Sequence, residues 1–84
     1  MVRREAVFGC GDGMTPDIAA KIAQMAERYD ADLQLECDGK RVRLDSLIGI
    51  LSVACRRGTP LSVLADGADE VSAAQAVAAA LQGA

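Results

Sequence analysis

The sequence predicts an α+β fold, an open-faced two-layer sandwich with the order β-α-β-β-α-β-α, and three stretches carry that prediction. Leu33, Leu35 and Cys37 alternate with polar neighbours, Val42 and Leu44 do the same, and Asp38-Gly39 between the two runs marks an antiparallel hairpin. Thr15-Pro16-Asp17 reads as a helix start, with a threonine cap, proline in the first helical position and an acid in the first turn. An alanine-rich run from Glu70 to Leu81 closes the chain with a face of small residues. The expected result is a four-stranded antiparallel sheet with three helices on one face.

Taken in order, Glu5–Phe8 is a short first strand with Ala6 and Phe8 on one face, ended by the glycine-rich stretch Gly9–Gly13. That stretch lacks the Gly-Lys-Ser/Thr ending of a phosphate-binding loop and the spacing of a dinucleotide fingerprint, so it reads as a plain turn. The first helix places Ile18, Ile22, Met25 and Tyr29 at intervals of four, three and four and ends near Tyr29-Asp30, leaving Lys21, Gln24, Glu27 and Arg28 to solvent. After the hairpin, Arg41–Leu44 breaks at Asp45-Ser46 into a second helix running to about Ala54. Leu47, Ile48, Ile50, Leu51 and Val53 make that helix too apolar for a single covered face, so part of it is expected at the surface. Arg56-Arg57-Gly58 reads as its cationic end and left-handed cap. Leu61, Val63 and Ala65 then alternate in a last strand, and Ala74, Val77, Ala78 and Leu81 form the packing face of the last helix.

Composition bounds the function. Eighty-four residues make one domain over 1–84, able to bury about 60–65% of its unfolded surface. A net charge of -3 with one Phe, one Tyr and no Trp argues against nucleic-acid partners, which need a basic patch and stacking platforms. The N-terminus is not followed by an apolar signal core, and no apolar run approaches the ~18 residues that span a bilayer, so a cytoplasmic protein without membrane contact is expected. Cys10, Cys37 and Cys55 are widely spaced and the chain has no histidine, so no metal site and no cofactor are expected and the thiols read as reduced. Ser46 sits where a strand becomes a helix. Such a serine caps the helix, and a phosphate added there would meet unpaired backbone N–H groups.

The element order, the length and a set of residues give the chain a resemblance that covers nearly all of it. Gly13, Ala19, Tyr29, Asp38-Gly39, Val42-x-Leu44-x-Ser46, Gly49, Ser52, Gly58 and Ala65-x-Gly67-x-Asp69-Glu70 resemble the HPr family, the small phosphocarriers of the bacterial sugar phosphotransferase system. The resemblance implies the HPr-like form of the sandwich. In family carriers a histidine opening the first helix passes phosphate between proteins and an arginine steadies the phosphoryl group. Thr15 stands at the position matching the histidine and Asp17 at the position matching the arginine, while Ile18 replaces the proline that follows. A threonine phosphate is a stable ester and Asp17 would repel a phosphate, so neither suits relay chemistry.

Ser46 matches the serine that a dedicated kinase modifies in many Gram-positive members, and Leu47, Ile48 and Leu51 match the apolar surface through which the modified form docks on a regulator of carbon metabolism. The resemblance therefore implies a non-enzymatic, histidine-less regulatory or adaptor protein switched at Ser46. An HPr serine kinase and a transcriptional regulator or metabolic enzyme would be its partners, and the chain itself a monomer or weak homodimer. Asp45 departs from the pattern by setting a like charge beside the serine, which Arg41 and Arg43 would offset if they share its face. Two other readings stand beside this one: a constitutive binding module using Leu47, Ile48 and Leu51 with no phosphorylation, and a divergent carrier using Thr15 or Cys10.

Overall fold

A computed structural model describes residues 1–53 and 55–83. Its elements are β1 (Val2–Val7), α1 (Pro16–Glu27), β2 (Asp32–Cys37), β3 (Lys40–Arg43), α2 (Leu47–Leu51), β4 (Pro60–Asp66) and α3 (Glu70–Gln82). The strands form one antiparallel sheet in the order β1-β4-β2-β3, so the last strand in sequence lies between the first and second. The two-residue turn Asp38-Gly39, both at positive φ, sets the β2–β3 register at Cys37 opposite Lys40.

One face of the sheet carries the core. Ala6 and Phe8, Leu33 and Leu35, and Leu61, Val63 and Ala65 meet Ala19, Ile22 and Ala26 of α1 and Ala73, Ala74, Val77, Ala78 and Leu81 of α3. Each fully buried Leu, Val or Phe contributes about 1.5–3 kcal/mol. The alanines of α1 and α3 contribute less individually. Their small size lets the helices pack closely. The centre of α1's buried face is Ala19-Ile22-Ala26, with Ile18, Met25 and Tyr29 only half-buried at its margins.

Several boundaries differ from the sequence reading. β1 begins at Val2 rather than Glu5, because Arg3 and Glu5 point to the helix-free face of the sheet and charge there does not oppose pairing with β4. Helix α1 ends at Glu27, before Tyr29-Asp30. Helix α2 is only Leu47–Leu51, and the expected end at Ala54 falls outside the described residues. Arg56-Arg57-Gly58 is not a helix end. The Thr59 N–H donates to the Arg56 carbonyl (2.9 Å) in a tight turn, and the Phe8 N–H donates to the Thr59 carbonyl (2.9 Å) while the Gly58 N–H donates to the Phe8 carbonyl (2.8 Å), so the segment serves the end of β1 instead.

The central strand β4 is buried on both faces from Leu61 to Ala65, although no helix covers the second face. Side chains spanning the strands cover it. Arg3 on β1 reaches across β4 to the Glu36 carboxylate on β2 (2.8 Å), Arg41 on β3 reaches Glu36 from the other side (3.0 Å), and the Ser62 hydroxyl donates to Glu5 (2.7 Å). Leu64 lies beneath this lattice. Arg41 and Arg3 hold the Glu36 carboxyl below the ordinary carboxylate range.

At the opposite end, the Asp69 carboxylate accepts from the backbone N–H groups of Asp30 (3.0 Å) and Ala31 (2.9 Å), tying the start of α3 to the loop after α1. Gly67 lies against the same loop at φ 157°, where a Cβ would stand 2.6 Å from the Ala31 Cα. We therefore expect Gly67→Ala to lower unfolding free energy by about 2 kcal/mol or more in urea denaturation, since backbone must move to admit the methyl. Because the folded Glu36 pKa lies below the unfolded one, its contribution is present above the usual glutamate range and is lost as pH falls through the folded value. The Tm gap between the parent chain and Glu36→Gln should accordingly be widest near neutral pH and close below pH ~4.

Candidate functional site

The candidate site is the junction of β3 and α2. After Arg43 the chain drives Leu44 into the core, where the Leu44 N–H donates to the Leu33 carbonyl (3.0 Å) and the side chain is fully buried. The Ser46 N–H turns back onto the Arg43 carbonyl (3.3 Å), and the extended backbone of Ser46 makes it the N-cap of α2. Its hydroxyl accepts from the Gly49 N–H at 3.2 Å. Gly49 leaves room beside that hydroxyl, since a Cβ there would stand 3.3 Å from Ser46 Oγ.

A five-residue helix has one turn and a half to divide between core and solvent. Ile50 takes the core side and is fully buried; Val53, just beyond the helix, is buried with it. Leu47, Ile48 and Leu51 are left outward with 43%, 82% and 40% of their surface exposed. The sequence-expected apolar surface is thus at the surface, and Ile50 and Val53 are its anchor. The far end is closed by the Ser52 hydroxyl donating to the Gly49 carbonyl (2.6 Å) and by Lys40 Nζ donating to the Ser52 carbonyl (3.3 Å). Lys40 was not singled out in the sequence; only the hairpin register carries it to the end of α2, and local spacing holds no signal for that.

Electrostatics around Ser46 depend on Asp45. Its carboxylate is held by the Arg43 guanidinium through two contacts, Nε at 3.2 Å and Nη2 at 3.1 Å. Arg43 therefore offsets the like charge beside Ser46. Arg41 does not share this task, being engaged with Glu36.

Thr15 and Asp17 are elsewhere, at the start of α1. Thr15 Oγ1 accepts from the Ile18 N–H (3.2 Å), Pro16 follows it, and Asp17 sits exposed in the first turn. The arrangement is that of a capped helix terminus. Of the three thiols Cys10 is half-buried, and Cys37 and Cys55 are buried in the core. Burial, and then the neighbouring Cys37, push the Cys55 thiol up to about 12. Among the described residues no group of three or more potential ligands could hold a metal ion, and no helix is long and apolar enough to cross a membrane.

The family model described as the PTS HPr component phosphorylation site matches residues 2–83. This chain belongs to the HPr family. It is 35% identical over 82 residues to the HPr-like protein Crh of Bacillus subtilis strain 168, a match covering 98% of this chain and 96% of Crh. The crystal structure of HPr from Bacillus anthracis superposes with a TM-score of 0.91 at 33% identity, covering 96% of each chain. The crystal structure of B. subtilis Crh, described as a swapped, intertwined dimer, superposes at 0.79 with 35% identity, covering 98% of this chain and 94% of that one. The family model is described by a phosphorylation site, and this chain has no histidine.

The division of α2 into an anchor and an outward face can be measured. Ile50→Ala should cost about 2–5 kcal/mol in chemical denaturation, whereas Ile48→Ala should stay within about 0.5 kcal/mol of the parent chain.

Proposed function

We propose that this HPr-family member is a non-enzymatic, cytoplasmic regulatory or adaptor protein that does not relay phosphate and is switched by phosphorylation of Ser46. The observation that carries the reading is the outward apolar surface of Leu47, Ile48 and Leu51, which begins at the residue after Ser46. A phosphate on Ser46 adds about -1.5 to -2 charge at the border of that surface, so one modification changes what can dock there. Pairing of Asp45 with Arg43 reduces the repulsion the phosphate would meet. Thr15 and Asp17, at the positions matching the carrier histidine and arginine, serve a helix cap and first turn instead. The partners that fit are an HPr serine kinase and a transcriptional regulator or metabolic enzyme that recognises the modified face.

One observation favours a second reading. The Ser46 hydroxyl already accepts from the Gly49 N–H, so the serine has a structural role without phosphate, and the apolar surface could be read as a constitutive docking site. A homodimer is a further part of the proposal. β1 is an edge strand, joined to α1 through the glycine-rich loop, and exchanging it between two copies would preserve every pairing with β4.

Intact-mass spectrometry after incubation with ATP and an HPr serine kinase tests the switch. We expect a gain of one phosphate that is lost in Ser46→Ala, and no label transferred from phosphoenolpyruvate through the first enzyme of the phosphotransferase system. Failure to gain phosphate where an ordinary HPr is modified would leave the constitutive module as the better reading. Transferable label on Thr15 would overturn the loss of the carrier role.

A further inference from the structure

A cleft away from the β3–α2 junction contains none of Thr15, Asp17 and Ser46. It encloses about 700 Å³ between α1, the glycine-rich loop and the C-terminal end of α3. Its deeper wall is apolar, with Ile22 buried and Ile18 and Met25 half-buried. Its rim carries the exposed side chains of Lys21, Arg28 and Arg57, and among the described residues no carboxylate side chain lines it. That is a marked separation of charge in a chain with twelve acidic and nine basic residues.

The three cations are poorly neutralised. Among the described residues neither Lys21 nor Arg28 has an ion-pair partner, and Arg57 Nε stands 3.6 Å from the fully exposed carboxylate of Asp12, a separation at which a solvated pair contributes little. A helix end accounts for only one of them: Arg28 is the C-cap of α1 and opposes the negative end of its dipole. Lys21 lies in mid-helix and Arg57 in a turn, where no dipole calls for a cation. Like charges lining one cleft repel one another, and a ligand bearing two or more negative charges would relieve that repulsion. Guanidinium groups match phosphate oxygens in a fork geometry that carboxylate-poor surroundings leave free. The apolar wall adds a requirement that a bare inorganic anion does not meet. A cleft of this size falls within the roughly 300–1,000 Å³ of small-molecule sites.

We propose that this cleft binds a polyphosphorylated metabolite of nucleotide size, with Lys21, Arg28 and Arg57 on the phosphates and Ile18, Ile22 and Met25 against its apolar body. Cys10, which also lines the cleft, supplies a built-in reporter, because the other two thiols are buried. The site shares no residue with the junction of β3 and α2, so it stands or falls independently of Ser46.

Titration of the ¹⁵N-labelled full chain with ADP at low ionic strength, followed by NMR and by iodoacetamide alkylation of Cys10, tests the proposal. Saturable shifts confined to the cleft, protection of Cys10, and affinity weakened about tenfold in Lys21→Gln and in Arg57→Gln are expected, with pyrophosphate binding more weakly than ADP. Both variants change exposed side chains and should keep the parent Tm. The absence of saturable shifts would overturn the proposal, as would affinity unchanged in both variants. Pyrophosphate binding as tightly as ADP would overturn the assignment of the apolar wall.

Discussion

The structure depends on the burial of β4 between β1 and β2. A two-layer sandwich has helices for only one face of its sheet, so a central strand must find cover for the other face without a third layer. Here the cover is charged. Arg3 reaches across β4 to Glu36 with Leu64 opposite Arg3 and Ser62 opposite Glu36, and Arg41 meets Glu36 from β3. Each exposed pair contributes little by itself, but the lattice spans all four strands through Arg3, Ser62, Glu36 and Arg41, and it lets the sheet remain open.

The same economy shapes the candidate site. Helix α2 is too short to bury its apolar residues, and what holds it is Leu44 before it, Ile50 within it and Val53 after it. Leu47, Ile48 and Leu51 are exposed because those anchors leave them no core to reach. Ser46 caps the helix that presents them, so one hydroxyl holds the element that carries the exposed surface. At the start of α1, Thr15 caps the helix through the Ile18 N–H and Asp17 sits exposed in its first turn.

Much of this was legible locally. The hairpin follows from alternation about Asp38-Gly39, the start of α1 from Thr15-Pro16-Asp17, and the packing face of α3 from Ala74, Val77, Ala78 and Leu81, because turn chemistry, capping and periodicity are read within a few residues. Where the reading failed, the deciding partner was distant. The apolar run from Leu47 to Val53 has helical composition throughout, but Val53 and Cys55 are drawn into the core and the Cys55 N–H closes onto the Val53 carbonyl, which ends the helix early. Arg3-Arg4-Glu5 has little strand character by composition, yet pairing with β4 makes it strand.

The sequence by itself therefore determined the element order, the antiparallel hairpin, the N-caps Thr15 and Ser46 and the kinship with the HPr family, all carried by short-range patterns. Tertiary structure alone decided that β4 lies between β1 and β2, that Arg43 rather than Arg41 neutralises Asp45, and that Lys21, Arg28 and Arg57 share one cleft. The place of β4 and the approach of Arg57 to α1 join residues far apart in the chain, and Asp45 is left to its near neighbour Arg43 because Arg41 is engaged with Glu36. Strand order and side-chain partnership depend on which surfaces pack together, and no spacing within a single segment encodes that.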